Sequence, residues 1–251
     1  FITGNDIKGT YVNVDAQGYV TWVQGASAAD FAKAAQAYAK TNSVSNQGTV
    51  TASSATVEFN NLDLGYYLVD SSLGTLCSLD TTNPSVTISE KNTVPTNKKK
   101  VEEDSTNTYG EKNDADIGQT VNFQSAITLP RGSENIVFHD TMSNGLTLDA
   151  SSIKVYTDAA MATELTNTNN ASYTVTTSGL TDGCTFEISF TKTYLDGLTA
   201  DSTVYVKYAA TVNENAVVGG NGNTNTSKVS YGDSTNTKYT PDSTTTTYTW
   251  D

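Results

Sequence analysis

An amine, a carboxyl group and a carboxamide occur in three separate stretches of the sequence, at Lys99, Asp140 and Asn225. In water these groups do not react, because the lysine is protonated and an amide is a poor electrophile. Burial away from water favours the neutral forms of both the amine and the acid. A neutral amine is a nucleophile, and a protonated carboxyl group can donate to an amide oxygen and shuttle a proton. The three side chains could therefore react if the fold brought them together in a dry core.

Strand periodicity assigns the three side chains to faces that also carry apolar residues. Successive side chains of a strand alternate between its two faces. Within the run 98–100, Lys99 shares a face with Val101, whereas its two lysine neighbours point the other way. The same alternation groups Asp140 and Asn225 with apolar partners, which are Ile136 and Phe138 for the acid and Val229 and Tyr231 for the asparagine.

From the residues alone, a more ordinary interpretation stands beside this one. Lys99 could snorkel to solvent, Asp140 could open a turn and Asn225 could cap one. A slip of one residue in register would also select Lys98 or Lys100 instead of Lys99.

Other chemistries find little support in the sequence. The single histidine, His139, is predicted to lie at the surface because alternation turns it away from the core face, and no nucleophile elbow accompanies a Ser-His-Asp arrangement. No Cys or His cluster with metal-ligand spacing is visible, so no metal or cofactor is expected. Asp114 and Asp116 lack the spacing of a calcium loop and are interpreted as solvated acids. The glycines at 219–222 precede neither a lysine nor a helix, which excludes a phosphate loop.

Composition indicates a polar but globular protein. The 251 residues suffice for two domains, and 36% of them are hydrophobic. A net charge of −13 argues against binding to nucleic acid or to an anionic membrane. No apolar run is long enough to cross a membrane. The two cysteines, Cys77 and Cys184, fall in different predicted domains and are interpreted as buried thiols.

The pattern predicts a mainly β protein with one helix. Residues 27–40 form the predicted helix, which Ser27 can cap and whose apolar stripe is Phe31, Ala34, Ala35 and Tyr38. Alternating segments predict strands at 49–51, 55–59, 65–70 and 85–89, followed by a linker at 92–97 that Pro95 keeps out of any ladder. A second series of strands is predicted at 120–129, 135–140, 152–156, 172–177, 184–190, 202–212 and 226–231. Many short strands between polar turns indicate β-sandwiches.

Several stretches of the second series resemble the middle domain of Gram-positive sortase-assembled backbone pilins. They are the segments 98–102, 114–123, 137–147, 212–220 and 222–231, in the family's order. The segment Leu64–Asp70 looks like the family's E-box strand. The resemblance implies two tandem immunoglobulin-like β-sandwiches. The first, residues 1–93, is expected to be a CnaB-like sandwich with one helix that could lack its first strand. The second, residues 94–251, is expected to be CnaA-like, with 237–249 leading into a further domain.

The resemblance also implies roles for the three reactive side chains. In this family a lysine and an asparagine join in an intramolecular isopeptide bond that an acid promotes, which corresponds to Lys99, Asn225 and Asp140. Domain one is expected to lack such a bond, because Asp70 replaces the expected glutamate and no good inward lysine precedes it, Lys8 beside Gly9 being the only early candidate. Lys91 corresponds to the lysine that a class C sortase joins to the next subunit, although Ser89-Glu90-Lys91 departs from the usual Tyr-Pro-Lys.

The function that follows from the resemblance is structural. The chain is expected to be a shaft subunit of a cell-wall-anchored surface pilus that supports adhesion, with identical subunits and a sortase as partners. It is not expected to be an enzyme beyond the single self-crosslinking event. The alternative is a non-polymerised adhesin or adhesin stalk that binds a host glycan or matrix protein, which the fourteen tyrosines make conceivable.

Overall fold

The computed structural model describes residues 1–4, 6–51, 53, 56–63, 65–71, 74–78, 93–232 and 237–250. The chain divides into two compact units, Phe1–Lys91 and Asn92–Asp251, close to the boundary predicted after residue 93. Strands outnumber helices throughout, which confirms the prediction of a mainly β protein. None of the helices in these ranges is long and apolar enough to cross a membrane.

The first unit contains the predicted helix, α1 (Ala28–Thr41). Its N-terminus is capped by Ser27, whose hydroxyl accepts a hydrogen bond from the backbone N–H of Asp30 at 3.2 Å. Phe31 is buried and packs with Ile7 and Val12 in a small core. Tyr38, at the end of the predicted stripe, is 41% exposed and packs on the Phe1 ring, so the apolar face is narrower than the sequence indicates.

The described strands of the first unit form two antiparallel pairs. These are β1 (Val12–Val14) with β2 (Val20–Trp22), and β3 (Tyr67–Ser71) with β4 (Gly74–Ser78). The strands predicted at 49–51 and 55–59 are wrong for the described residues there, which have no regular structure. Apolar and polar residues alternate in these short stretches, but the described residues there do not pair with another strand. The strand predicted at 85–89 lies outside the described residues.

The second unit is a sandwich of two sheets. The first sheet has the order β10-β13-β8-β5-β6, and the second has the order β11-β12-β9-β14-β16-β7 with β15 paired to β14. The strands are β5 (Thr96–Glu103), β6 (Thr108–Gly110), β7 (Lys112–Asp114), β8 (Thr120–Leu129), β9 (Val137–Met142), β10 (Leu146–Tyr156), β11 (Tyr173–Thr176), β12 (Phe186–Phe190), β13 (Ser202–Val212), β14 (Asn223–Tyr231), β15 (Lys238–Tyr239) and β16 (Ser243–Tyr248). A 3-10 turn, Thr168–Asn170, precedes β11, and a short helix, α2 (Lys192–Asp196), follows β12.

Strict alternation of buried and exposed side chains builds the core of this sandwich. Every second residue of β8 and β13 is buried, including Phe123, Ile127, Val204, Val206 and Tyr208. The facing sheet contributes buried aromatic and aliphatic side chains from β9, β12 and β14, which are Phe138, Phe186, Ile188 and Val229. The predicted strands of this half correspond to β8 through β14.

Residues 243–248 belong to the sandwich itself. β16 pairs antiparallel with β14 and parallel with β7, and the side chains of Thr245 and Thr247 are buried. The segment read from the sequence as a lead into a further domain is therefore a central strand of the second sheet. Threonine has a high β-propensity but is not strongly hydrophobic, so the alternation of apolar and polar residues that would predict a core strand is weak in this segment.

A close approach at Gly145 supplies a test of this packing. A Cβ atom there would lie 2.1 Å from Asn223 Oδ1 and 2.6 Å from the backbone of Ala216. Asn223 is buried and accepts a hydrogen bond from the Val217 N–H at 2.8 Å, so it cannot move away cheaply. We expect Gly145→Ala to destabilise the second unit by about 1–3 kcal/mol in denaturant unfolding.

The matched control is Gly110→Ala on the edge strand β6. A Cβ there would lie 3.7 Å from the Lys112 carbonyl oxygen and 3.9 Å from the Lys112 backbone nitrogen, which are ordinary van der Waals contacts. Its effect should stay within about 0.5 kcal/mol. Equal unfolding midpoints for the two variants would contradict the packing described here.

Candidate functional site

Four polar side chains meet in the middle of the sandwich, two from each sheet. Lys99 on β5 and Tyr208 on β13 belong to the five-stranded sheet, where both strands flank β8. Asp140 on β9 and Asn225 on β14 belong to the facing sheet. Asp140 lies opposite Ser227, and Asn225 is two residues from Ser227, so both side chains point to the same face. We call these four residues the core polar cluster.

The core polar cluster is sealed from solvent. Lys99, Asp140 and Asn225 are 0% exposed, and Tyr208 is 1% exposed. An isolated charge in such a place costs several kcal/mol, so buried lysine and aspartate side chains require partners or neutral forms. The contact between Lys99 and Asp140 is therefore a buried interaction in the core and not a solvent-exposed ion pair.

Hydrogen bonds join all four members. Lys99 Nζ bonds to Asp140 Oδ2 and to the Tyr208 hydroxyl, and that hydroxyl in turn donates to the same Asp140 oxygen. Asn225 Nδ2 donates to the Tyr208 hydroxyl at 3.2 Å. Asp140 Oδ1 and Asn225 Oδ1 are buried and have no hydrogen-bond partner among the described residues. Two acceptor oxygens of the cluster thus stay unused.

Aromatic rings surround the amine. Lys99 Nζ lies 5.6 Å from the ring centroid of Phe123, 5.7 Å from that of Phe138 and 4.9 Å from that of Tyr208. The Phe186 ring packs edge-on against Tyr208 with centroids 4.9 Å apart. These rings exclude water from the amine and also offer it their electron-rich faces.

Burial shifts the protonation equilibria of the cluster towards neutral groups. It lowers the pKa of the Lys99 amine, although attraction to Asp140 opposes the shift. It raises the pKa of the Asp140 carboxyl group against the opposing effects of Lys99, Tyr208 and Asn225. The pKa of the Tyr208 hydroxyl is raised well above its ordinary value by burial and by Asp140. Desolvation is the largest cause for all three, so the site favours a neutral amine beside a protonated acid.

The structure brings together the three side chains that alternation assigned to core faces. Lys98 is the contrasting neighbour, because its side chain is 60% exposed and its ammonium pairs with Glu111 at 2.6 Å. Sequence reasoning does not identify Tyr208. The only available signal is the alternation of β13, which makes Tyr208 an inward residue in a run of smaller ones.

Other predicted residues lie away from the core polar cluster or outside the described ranges. Lys91 lies outside the described residues. In the first unit, Asp70 is exposed and accepts a hydrogen bond from Gln36 at 2.7 Å, and Lys8 is also exposed. Asp114 accepts a hydrogen bond from the Trp250 indole at 3.0 Å, which gives that acid a structural partner.

The prediction that His139 is a surface residue is wrong. The side chain points away from the core, as alternation requires, but it is only 8% exposed. Its Nδ1 lies 2.9 Å from Asp182 Oδ2 and 3.0 Å from Glu187 Oε1, and its Nε2 lies 2.8 Å from Ser230 Oγ. This order of Ser, His and Asp matches a hydrolytic triad in spacing. However, Ser230 is 5% exposed on a central strand, where a substrate carbonyl has no access.

Cys184 also differs from its predicted role as a buried thiol. It is half-buried and unpaired, and its Sγ lies 2.9 Å from Asp182 Oδ2. Burial and Asp182 raise the pKa of the Cys184 thiol to about 11, whereas the hydrogen bonds from Cys184 lower the pKa of Asp182 to about 2. The side chain of Cys77 lies outside what the structure describes.

A family model identifies the second unit. Residues 117–235 match the model described as Gram-positive pilin backbone subunit 2, Cna-B-like domain. The second unit is thus similar to the backbone subunits of Gram-positive pili over these residues. Asp140, Tyr208 and Asn225 lie within the matched residues, and Lys99 precedes them. The description names a Cna-B-like domain, whereas the CnaA-like subtype inferred from the sequence stays a prediction.

One solved pilin has a similar fold at low sequence identity. The chain is similar to the T6 backbone pilin of serotype M6 Streptococcus pyogenes, with 16% identity and a TM-score of 0.59 over 95% of this chain and 60% of that one. It also matches the pilus backbone RrgB of Streptococcus pneumoniae, with 18% identity, a TM-score of 0.42 and coverage of 55% and 52%. The major pilin BcpA of Bacillus cereus matches with 17% identity, a TM-score of 0.45 and coverage of 61% and 40%.

The chain therefore spans 40–60% of the length of these solved pilins. No curated protein sequence matches it. The T6 pilin is described as a modular three-domain structure with variable loops and extensions, and the similarity to it concerns the fold.

The hydrogen bonds of the core polar cluster predict the effect of removing one hydroxyl. Tyr208→Phe leaves Asn225 Nδ2 without its acceptor and takes a donor from Asp140, and both groups are fully buried. We expect a loss of about 1–3 kcal/mol in the free energy of unfolding. Tyr205→Phe is the matched control, because Tyr205 lies on the opposite face of the same strand and is half-buried. A loss of similar size for Tyr205→Phe, measured by denaturant titration, would show that the cluster has no special role.

Proposed function

We propose that this chain is a structural subunit of a Gram-positive surface pilus shaft, and that its second unit crosslinks itself once through a Lys99–Asn225 isopeptide bond promoted by Asp140. The observation that carries the proposal is the dry core polar cluster, in which an amine, an acid and a carboxamide are fully buried together. The match of residues 117–235 to the pilin backbone model supports a structural role.

The chemistry of the proposed step is an amide exchange. The neutral Lys99 amine attacks Asn225 Cγ, the new C–N bond forms, and the Asn225 amide nitrogen leaves as ammonia. The amine gives up a proton and the leaving nitrogen gains one, so Asp140 acts as a shuttle and ends unchanged. The raised pKa of Asp140 and the lowered pKa of Lys99 provide the protonation states that this step needs.

The two unused oxygens support a specific role for Asp140. Asp140 Oδ1 and Asn225 Oδ1 are both buried without partners among the described residues. A proton on the Asp140 carboxyl group would let it donate to the Asn225 carbonyl oxygen, satisfying both atoms and polarising the amide for attack. Tyr208 bonds to the other three members and so acts as a positioning residue.

A Lys99–Asn225 bond would join the two sheets across the core. Lys99 lies on β5 and Asn225 on β14, so the bond closes a loop that includes most of the sandwich. On the chain-entropy estimate used for disulfides, closing a loop on the order of 100 residues stabilises a fold by about 4–5 kcal/mol. Such a link would give this unit resistance to pulling.

Assembly of the shaft completes the proposal. Identical subunits would be linked by a class C sortase through Lys91, and the product would be a pilus anchored to the cell wall that supports adhesion. The support for Lys91 is its place in the sequence at the end of the first unit, directly before Asn92.

Intact-mass measurement tests the crosslink. We expect the protein to weigh one ammonia less than its sequence, and Lys99→Ala, Asp140→Ala and Asn225→Ala each to restore the full expected mass for the variant. Lys98→Ala and Asp149→Ala are the matched controls, because both side chains are exposed, and they should keep the deficit. Wild-type protein with the full mass of its sequence would refute the crosslink. A peptide that contains both Lys99 and Asn225 after proteolysis would locate the bond.

Polymerisation is tested separately. Pili assembled by a class C sortase from subunits that carry Lys91→Ala should lose the high-mass ladder on denaturing gels, since no amine is then available to resolve the sortase intermediate. Lys98→Ala is again the control and should retain the ladder. A ladder that survives Lys91→Ala would exclude Lys91 as the linkage residue while leaving the internal crosslink unaffected.

A further inference from the structure

Four side chains with metal-binding atoms converge on the outer face of the seven-stranded sheet. They are His139, Asp182, Cys184 and Glu187, and one nitrogen, sulfur or oxygen atom from each lies within 4.8 Å of the others. We call them the outer cluster. It lies on the side of β9 opposite to the core polar cluster, because His139 and Asp140 are successive residues of one strand.

The fold holds the members of the outer cluster in place by two different means. His139 on β9 and Glu187 on β12 are directly paired across neighbouring strands. Asp182 and Cys184 come from the loop before β12, where Gly183 has a φ of +81°. The Cys184 N–H donates to Asp182 Oδ1 at 3.1 Å, so a tight turn points the other carboxylate oxygen and the thiol at the imidazole.

The imidazole is oriented as a metal ligand would be. Its Nδ1 faces Asp182 Oδ2 and Glu187 Oε1, at 2.9 and 3.0 Å, while its Nε2 lies 2.8 Å from Ser230 Oγ. A metal-bound histidine characteristically uses its second nitrogen to donate to a neighbouring group, which fixes the ring. Ser230, which is 5% exposed, can serve as that acceptor.

The charge around the outer cluster favours a cation. Two carboxylates lie within 3.0 Å of one imidazole nitrogen. Within the described ranges, no lysine or arginine forms an ion pair with Asp182 or Glu187. The lysine nearest in register, Lys228 opposite His139, holds its ammonium over the Tyr239 ring at 4.7 Å. The side chains of Asp182 and Glu187 are 35% and 21% exposed, so an ion can enter from solvent.

We propose that the outer cluster is a binding site for a divalent cation of the zinc class, with His139 Nδ1, Cys184 Sγ and one oxygen each from Asp182 and Glu187 as ligands. Zinc takes four such ligands in a tetrahedron at about 2.0–2.3 Å. The close pairs, at 2.9–3.0 Å, would open slightly and the wider pairs, which lie within 4.8 Å, would close to reach that geometry. A thiolate among the ligands selects zinc over calcium or magnesium.

Binding exchanges protons for metal. The thiol proton of Cys184 leaves to solvent as the Zn–S bond forms, while the imidazole binds as the neutral tautomer whose single proton is on Nε2, so that Nδ1 offers its lone pair to the Zn–N bond. Because all four positions are filled by the protein, the site is structural. It fastens the loop that carries Asp182 and Cys184 to β9, on the strand that also supplies Asp140 to the core.

Cobalt substitution tests the proposal directly on the whole chain. Protein treated with a chelator and then titrated with Co²⁺ should develop intense visible bands typical of tetrahedral cobalt and a sulfur-to-cobalt charge-transfer band, saturating at one equivalent. Added Zn²⁺ should abolish both bands and raise the melting temperature. Cys184→Ser should lose the charge-transfer band, and Glu187→Gln should weaken binding of both metals at least tenfold.

The controls separate ligation from misfolding. Cys77→Ser removes the other thiol and should keep the charge-transfer band, and Glu164→Gln removes an exposed carboxylate elsewhere in the unit and should keep the affinity. Circular dichroism of each variant establishes that it is folded. Absence of a charge-transfer band in the wild type, or its persistence in Cys184→Ser, would overturn the proposal. The intact-mass result does not depend on this site, so either hypothesis can fail alone.

Discussion

Exclusion of water from the Lys99 amine is the constraint on which the second unit depends. An amine and a carboxyl group that are fully buried cannot both rely on solvent, so the surrounding residues must either pair them or neutralise them. Hydrogen bonds within the core polar cluster pair the amine with the carboxyl group, and desolvation favours the neutral form of each. The stacked rings of Phe123 and Tyr208 contribute to the packing and would also form part of the environment of the proposed crosslinking step.

The sandwich architecture is what makes such an interior possible. One sheet supplies the amine and the phenol, and the other supplies the acid and the carboxamide, so the cluster forms only when the sheets are packed face to face. Most inward positions beside the cluster on β8, β9 and β13 are apolar, with the buried Ser125 opposite Lys99 as a polar exception, and this apolar surrounding sustains the pKa shifts. Buried and partly exposed residues alternate regularly along β8 and β13, which supply much of this surrounding.

Alternation made the core faces predictable but not the contacts across them. Lys99, Asp140 and Asn225 could each be assigned to a face because each lies within a regular strand. Alternation shows that Tyr208 points inward but does not place it in the cluster, since the pattern does not reveal which positions of the two sheets face each other across the core. His139 shows the same limit on the outer face, because it is covered by the loop before β12 and by β15, which lie far away in sequence.

The position of β16 changes how a Lys99–Asn225 link would act under tension. Lys99 lies on β5, the first strand of this unit, but Asn225 does not lie on the last strand, because β14 is followed by β15 and β16. A pull along the chain would be carried covalently between residues 99 and 225, and β16 would be held by hydrogen bonds to β14 and β7. The covalent link would therefore protect the core of the sandwich, while the ladders of β16 would bear the load transmitted beyond Tyr231. The buried threonines of this strand contribute packing and hydrogen bonds at that point, such as Thr249 Oγ1 to the Ala115 carbonyl at 2.9 Å just after it.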